Sequence, residues 1–170
     1  MGKGTKLLIA VAIVVFVAAV ALSSTYKSGS EAKVAPNFQL TTIYGAKISL
    51  SSLKGKYVVL LEFFYIDCPA CRSQIEELKQ VWAEFYKENF YLISIDVNPA
   101  SDSEAELREY VQEHGITWHV AMDTAGVAQK YGVMYVPKMV LIDLNGTIVE
   151  EYVGHTKASV LIEDIASLLD

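Results

Sequence analysis

The chain has 170 residues, 52% of them hydrophobic, only two cysteines, and a formal net charge of −6. That length accommodates one domain with a real core plus a small appendage, and the acidic balance excludes a nucleic-acid partner, which needs a basic face. Two cysteines three positions apart cannot form a disulfide framework; they are a redox pair, half of a metal site or bystanders.

Lys3 and Lys6 precede sixteen uninterrupted apolar residues, Leu7 to Leu22, followed by Ser23, Ser24 and Thr25. Positive, then apolar, then small and polar is the order of a secretory signal or an uncleaved anchor. As a helix the run spans roughly 24 Å, and extension through Tyr26 brings it to the ~30 Å hydrocarbon core. The expectation is a single transmembrane anchor over residues 1–26, with cleavage near Ala21-Leu22-Ser23 and secretion as the alternative; no cysteine follows the run to carry a lipid. Lysines on the N-terminal side place the remainder outside the cytoplasm. Residues 27–35 (KSGSEAKVA) read as a flexible linker ahead of a domain over 36–170. From Ser23 the chain to Ala35 reaches at most about 45 Å, which keeps an anchored domain near the membrane.

Asn37 to Leu50 holds two short β-prone stretches around Tyr44-Gly45, an N-terminal β-hairpin. Tyr57 to Tyr65 is nearly continuous apolar sequence, the mark of a strand covered on both faces. Pro69 suits a first helical turn, and Ile75, Leu78, Trp82 and Phe85 recur at helical spacing towards Asn89. Phe90 to Asp96 is a second buried strand, so strand, helix and strand form a βαβ unit with a parallel pair. Ser103 and Glu106 make a capping box for a helix ending at Gly115. A short strand at Thr117–Ala121 and a short helix at Thr124–Tyr131 follow. Val140–Leu144 and Thr147–Val153 flank Asn145-Gly146, which predicts a type I′ hairpin. Thr156 is the expected cap of a last amphipathic helix carrying Val160, Leu161, Ile165, Leu168 and Leu169. The architecture is α/β, a central mixed sheet with helices on both faces.

Cys68 falls where a parallel strand ends and a helix begins, the edge at which α/β proteins gather their chemistry. Free N–H groups and the helix dipole stabilise a thiolate there; Pro69 has no N–H to give, but Ala70 and Cys71 do. Cys71 shares a helical face with Ile75 and Leu78 and points inward, which makes Cys68 the exposed attacking sulfur and Cys71 the shielded resolving one. Zinc needs four ligands, and His114, His119 and His155 show no paired ligand spacing. A structural disulfide across a two-residue gap constrains almost nothing. Redox chemistry is the expectation, with no metal and no organic cofactor, since neither a phosphate-binding loop nor a haem attachment motif occurs.

The stretch YVVLLEFFYIDCPACRSQIEEL at Tyr57 to Leu78, with Val136-Pro137 downstream, resembles the thioredoxin superfamily and is most similar to its membrane-anchored TlpA/ResA-type thiol–disulfide oxidoreductases. APNFQL at Ala35 to Leu40, SLSSLKGKYVVL at Ser49 to Leu60 and VPKMVLID at Val136 to Asp143 carry the resemblance to the end of the chain. It implies a thioredoxin-like fold in which Pro137 is cis and faces the cysteine pair, an ordinary trans proline opening an edge strand being the alternative. It further implies substrate contacts at Val136, through its backbone, and at Pro69 and Ala70. Glu62 matches a buried carboxylate behind the resolving cysteine, with a raised pKa suited to relaying a proton to or from Cys71; satisfying a lysine or a buried water is the plainer role. Partners are then exported proteins with disulfides or dithiols, with a membrane thiol carrier as electron donor, and the chain is expected to be monomeric.

Three positions depart from the family pattern. Asp67 replaces the frequent Trp before the first cysteine and disfavours the Cys68 thiolate, making the couple more reducing. Pro-Ala replaces the commoner pairs between the cysteines, and Gln74 stands where some cytochrome c maturation members carry glutamate. Two other functions compete. A copper metallochaperone for oxidase assembly would use the thiolates with His119 or His155. A peroxiredoxin-like peroxidase would want Pro and Thr where Leu61 and Tyr65 stand.

Overall fold

The computed structural model describes residues 33–169. The anchor expected over 1–26 and most of the linker lie outside them; among the described residues no helix is long and apolar enough to cross a membrane. Lys33 and Ala35, inside the segment read as linker, are already hydrogen-bonded to the domain: Ala35 N–H donates to Gly146 O (2.9 Å) and Ile148 N–H to Lys33 O (2.8 Å).

The first hairpin is β1 (Gln39–Thr41) and β2 (Lys47–Ser49), antiparallel around Gly45. The chain then makes a one-turn helix, α1 (Leu50–Leu53), which buries Leu50 and Leu53. β3 (Val58–Phe64) is buried at all seven positions, as an apolar run without alternation requires. It leads into α2 (Pro69–Phe85) and β4 (Phe90–Asp96), which pairs with β3 in parallel from Val58↔Phe90 to Phe64↔Asp96. The capping box forms at α3 (Glu104–Glu113): Ser103 Oγ accepts the Glu106 N–H, and Ser103 N–H donates to Glu106. β5 (His119–Met122) and the short α4 (Val127–Lys130) follow, then β6 (Lys138–Ile142), β7 (Ile148–Val153) and α5 (Ala158–Leu169).

The sheet order is β5-β4-β3-β6-β7, with β3, β4 and β5 parallel and β6 and β7 antiparallel. Strand alternation divides the core. Val58, Leu60 and Phe64 face α2, α3 and α5, while Val59, Leu61 and Phe63 face the β1–β2 hairpin, α1 and α4.

Two local expectations are corrected. The β6–β7 turn is not type I′, because Asn145 does not have positive φ and only Gly146 does (φ 76°). Asp143 explains the change: its Oδ1 accepts the N–H groups of Asn145 (2.9 Å) and Thr147 (2.8 Å), so the turn closes over Asp143–Gly146, with Gly146 N–H donating to Asp143 O (3.0 Å). Thr156 does not cap α5. Its hydroxyl donates to Gly154 O (3.3 Å), and the first-turn N–H of Ala158 is accepted by Glu77 of α2 (2.7 Å).

Candidate active site

β3 delivers the chain to the carboxyl edge of the sheet, where Tyr65–Asp67 turn it into α2. Ile66 N–H donates to Asp102 Oδ2 (3.3 Å), which ties this turn to the segment preceding α3. Cys68 is the N-cap of α2, with extended backbone, and Pro69 occupies the first turn, where a missing N–H costs nothing. Cys68 and Cys71 are joined as a disulfide, their Cα atoms 5.2 Å apart. The Cys71 N–H donates to Cys68 Sγ (3.1 Å). That amide, at the positive end of a 17-residue helix, favours negative charge on the Cys68 sulfur once the pair is reduced.

The expected contrast in exposure is narrower than the sequence suggests. Cys71 is 0% exposed, but Cys68 is only 3% exposed. In the disulfide its sulfur turns onto the helix end, into the apolar cluster that also takes in Tyr65, Ile66 and Val136. Pro69 and Ala70 are exposed and form the outer surface of the pair.

The Val136-Pro137 peptide bond is cis. Pro137 is buried, and its carbonyl accepts the Gly154 N–H (2.8 Å). Val136 is half-buried, and neither its N–H nor its C=O is hydrogen-bonded among the described residues. Met134 and Tyr135, just before it, are 82% and 71% exposed.

Glu62 lies in the middle of β3 on the face turned towards α2, 2% exposed. Ser94 Oγ donates to its Oε2, Trp118 Nε1 donates in turn to Ser94 Oγ (2.8 Å), and Glu62 Oε1 has no partner among the described residues. Burial pushes the carboxyl up to about 7, against the opposing Ser94 bond. Near neutrality such a group takes up or releases a proton readily.

Several contributors escaped the sequence reading. Asp96 ends β4 fully buried, and burial raises its pKa, with the neighbouring Asp102 carboxylate adding to the effect. Asp96 closes the apolar run FYLISID much as Glu62 interrupts its own apolar strand, and that signal was available, whereas Glu62 was singled out by its match to the family's buried carboxylate. Lys138, directly after Pro137, is 6% exposed; its Nζ donates to Tyr131 O (2.8 Å) and pairs with Glu151 (2.7 Å). Gln74 is fully buried in α2. The histidines weighed for a metal are engaged elsewhere: His119 stacks on Tyr91 at 4.4 Å, and His155 lies 3.5 Å from Glu77.

Residues 32–151 match the AhpC/TSA family model. The thioredoxin-like protein YneN of Bacillus subtilis is 31% identical over 124 residues, covering 73% of this chain and 72% of that protein. The thiol-disulfide oxidoreductase ResA of Bacillus thuringiensis is 31% identical over 123 residues, covering 72% and 69%. The thiol:disulfide interchange protein of the thioredoxin family from Chlorobium tepidum shares the fold, with a TM-score of 0.74 at 24% identity over 84% of this chain and all of that one. The chain belongs to the AhpC/TSA family of thioredoxin-like proteins, and within it to the TlpA/ResA-type thiol–disulfide oxidoreductases.

Proposed function

We propose that this oxidoreductase is held at the outer face of a membrane by residues 1–26 and reduces disulfides in exported partner proteins. The observation that carries the chemistry is the Cys71 N–H aimed at Cys68 Sγ at the start of α2. In the reduced enzyme the Cys68 thiolate attacks one sulfur of a partner disulfide and expels the other as a thiolate. Cys71, deprotonated with Glu62 as acceptor, then attacks the Cys68 sulfur of the mixed disulfide. The partner leaves with both sulfurs reduced, and the enzyme keeps the Cys68–Cys71 disulfide, so two electrons have passed to the partner. A membrane thiol carrier restores the dithiol.

The free N–H and C=O of Val136, held beside cis Pro137, suit pairing with an extended segment of the partner, and Pro69 and Ala70 contact it from the other side. Asp67, exposed next to Cys68, supports the reducing direction because its carboxylate opposes the thiolate. The apolar run with its leading lysines supports the anchor. A monomer meets all these requirements.

The test is a redox titration of residues 27–170 against glutathione and dithiothreitol, together with trapping by Cys71→Ser. A reversible two-electron couple below roughly −250 mV is expected, with mixed disulfides accumulating on Cys68. A potential near −120 mV would reverse the assigned direction, since that is the range of strong oxidants. Recovery of the full chain in the soluble fraction would remove the tether.

A further inference from the structure

We propose that Gln74 is a positioning residue for this reaction, fixing the Val136-Pro137 peptide against the cysteine helix by using both halves of its amide on the backbone of Thr156. Gln74 lies three residues after Cys71, on the same face of α2, and is 0% exposed. Its Nε2 donates to Thr156 O (3.0 Å), and the Thr156 N–H donates to its Oε1 (2.7 Å). Thr156 belongs to the connection between β7 and α5. Two residues earlier in that connection, Gly154 N–H donates to Pro137 O (2.8 Å). From Cys71 to Pro137 the path is therefore one helical turn, two hydrogen bonds, two residues of backbone and one more hydrogen bond.

Glu77, one turn further along α2, shows why the two positions differ chemically. It only accepts: its Oε2 takes the Ala158 N–H (2.7 Å) and its Oε1 faces His155 (3.5 Å). A carboxylate serves there, at the start of a helix. Gln74 must donate and accept at once, which an amide does at every pH and a carboxyl does only while protonated. In a Q74E variant the ionised side chain turns an oxygen towards the Thr156 carbonyl from a fully buried position, and the connection carrying Gly154 is released. The ionisable groups on the segments meeting here are Arg72, Glu76 and Glu77 on α2 and His155 and Lys157 on the connection, with Lys138 after Pro137 committed to Glu151.

The inference rests on the oxidoreductase reading, and the experiment separates the two. The full chain and its Q74E and Gln74→Met variants are assayed on a disulfide-bonded peptide at pH 5.5 and pH 8, each relative to wild type at the same pH. For Q74E, KM should rise about tenfold at pH 8, the scale of one lost buried hydrogen bond, and return near wild type at pH 5.5. Gln74→Met should raise KM at both pH values. Alkylation of reduced Cys68 by iodoacetamide, which needs no docking on Val136, should not change. Equal losses at both pH values in Q74E, or a change confined to alkylation, overturn the proposal. Amide hydrogen exchange on the wild type requires no variant to fold: Gly154 and Thr156 N–H should be protected, and free exchange at either overturns the bracket. A wild type that reduces no disulfide overturns the oxidoreductase reading instead, while the exchange data still decide on Gln74.

Discussion

Glu62 in β3 and Glu151 in β7 lie in the same five-stranded sheet, with β6 between their strands. Glu62 is 2% exposed, takes one hydrogen bond from Ser94 and has an oxygen with no partner among the described residues. Glu151 accepts from Lys138 (2.7 Å) and from Lys33. The consequences have opposite sign. Burial pushes Glu62 up to about 7, whereas the bonds from Lys138 and Lys33 hold Glu151 below the usual carboxylate range. A carboxylate supplied with cations stays ionised at working pH and ties strands together. One without them among the described residues is poised between two protonation states, which suits the proton-relay role proposed for Glu62.

Removing the ionisable group from Glu62 is the strongest way to break this contrast. The native state keeps the Glu62 proton up to about pH 7, while the unfolded chain loses it near 4.5, so Glu62 withdraws stability as pH rises between those values. Above pH 7 the full cost is present, about 3 kcal/mol. Glu151 acts oppositely, contributing stability above the unfolded carboxylate pKa and losing it as pH falls through its own depressed value. Glu62→Gln should therefore be about 3 kcal/mol more stable than wild type in urea at pH 8 and no different at pH 4.5. Its peptide-disulfide reduction should fall about 100-fold, the loss typical of a proton-transfer group. Asp96 slopes in the same direction but is common to both proteins and cancels in the difference. Lower stability of the variant at pH 8 would mean that Glu62 has a counter-charge after all.

The paired side is broken at Lys138. Lys138→Met leaves the Tyr131 carbonyl and one side of Glu151 without a donor, next to Pro137. The loss at pH 7 should be about 2 kcal/mol, less than for a fully buried pair because Glu151 is partly exposed and keeps Lys33. Reduction of a small linear disulfide, which does not dock along the chain, should stay within about twofold of wild type if Lys138 is structural. Melts at pH 7 and pH 3 check the sign, since the deficit should shrink as pH falls below the unfolded carboxylate value of 4.5 towards the depressed value of Glu151.

The sequence made the poised side legible and hid the paired one. Glu62 stands out because it interrupts six apolar residues of a seven-residue strand, and the cysteines because they sit just beyond its end. The β4 limits and the Ser103 capping box are equally local and appear as expected. Lys138 looks like any lysine after a proline; only the β6–β7 register, with Val140 opposite Glu151, brings its partner near. The misread features share that dependence on contacts from elsewhere. Asp143 overrode the turn preference of Asn145-Gly146, and Glu77, 81 residues upstream of Ala158, took the capping role expected of Thr156. Cys68 is less exposed than its place in the chain implies because distant Val136 belongs to the same cluster.

The smallest and sharpest change is Ser94→Ala, which removes the one side-chain hydrogen bond that Glu62 accepts among the described residues and touches no cation. Ser94 lowers the Glu62 pKa, so its loss should move that pKa above about 7 and shift the destabilising window of Glu62 to higher pH. Trp118 Nε1 loses its acceptor at the same time, and with the indole 4% exposed the net cost should be about 1 kcal/mol. Trp118 also supplies the readout, since its fluorescence should lose any titration that the Ser94 bridge transmits from Glu62. The carboxyl carbon of Glu62, followed by NMR across pH 5 to 9, gives the midpoint directly. An upward move makes the wild-type value a compromise between burial and one hydroxyl. An unchanged midpoint would place the control of this proton in groups further off, with Tyr110, whose buried hydroxyl also lacks a partner among the described residues, the first to examine.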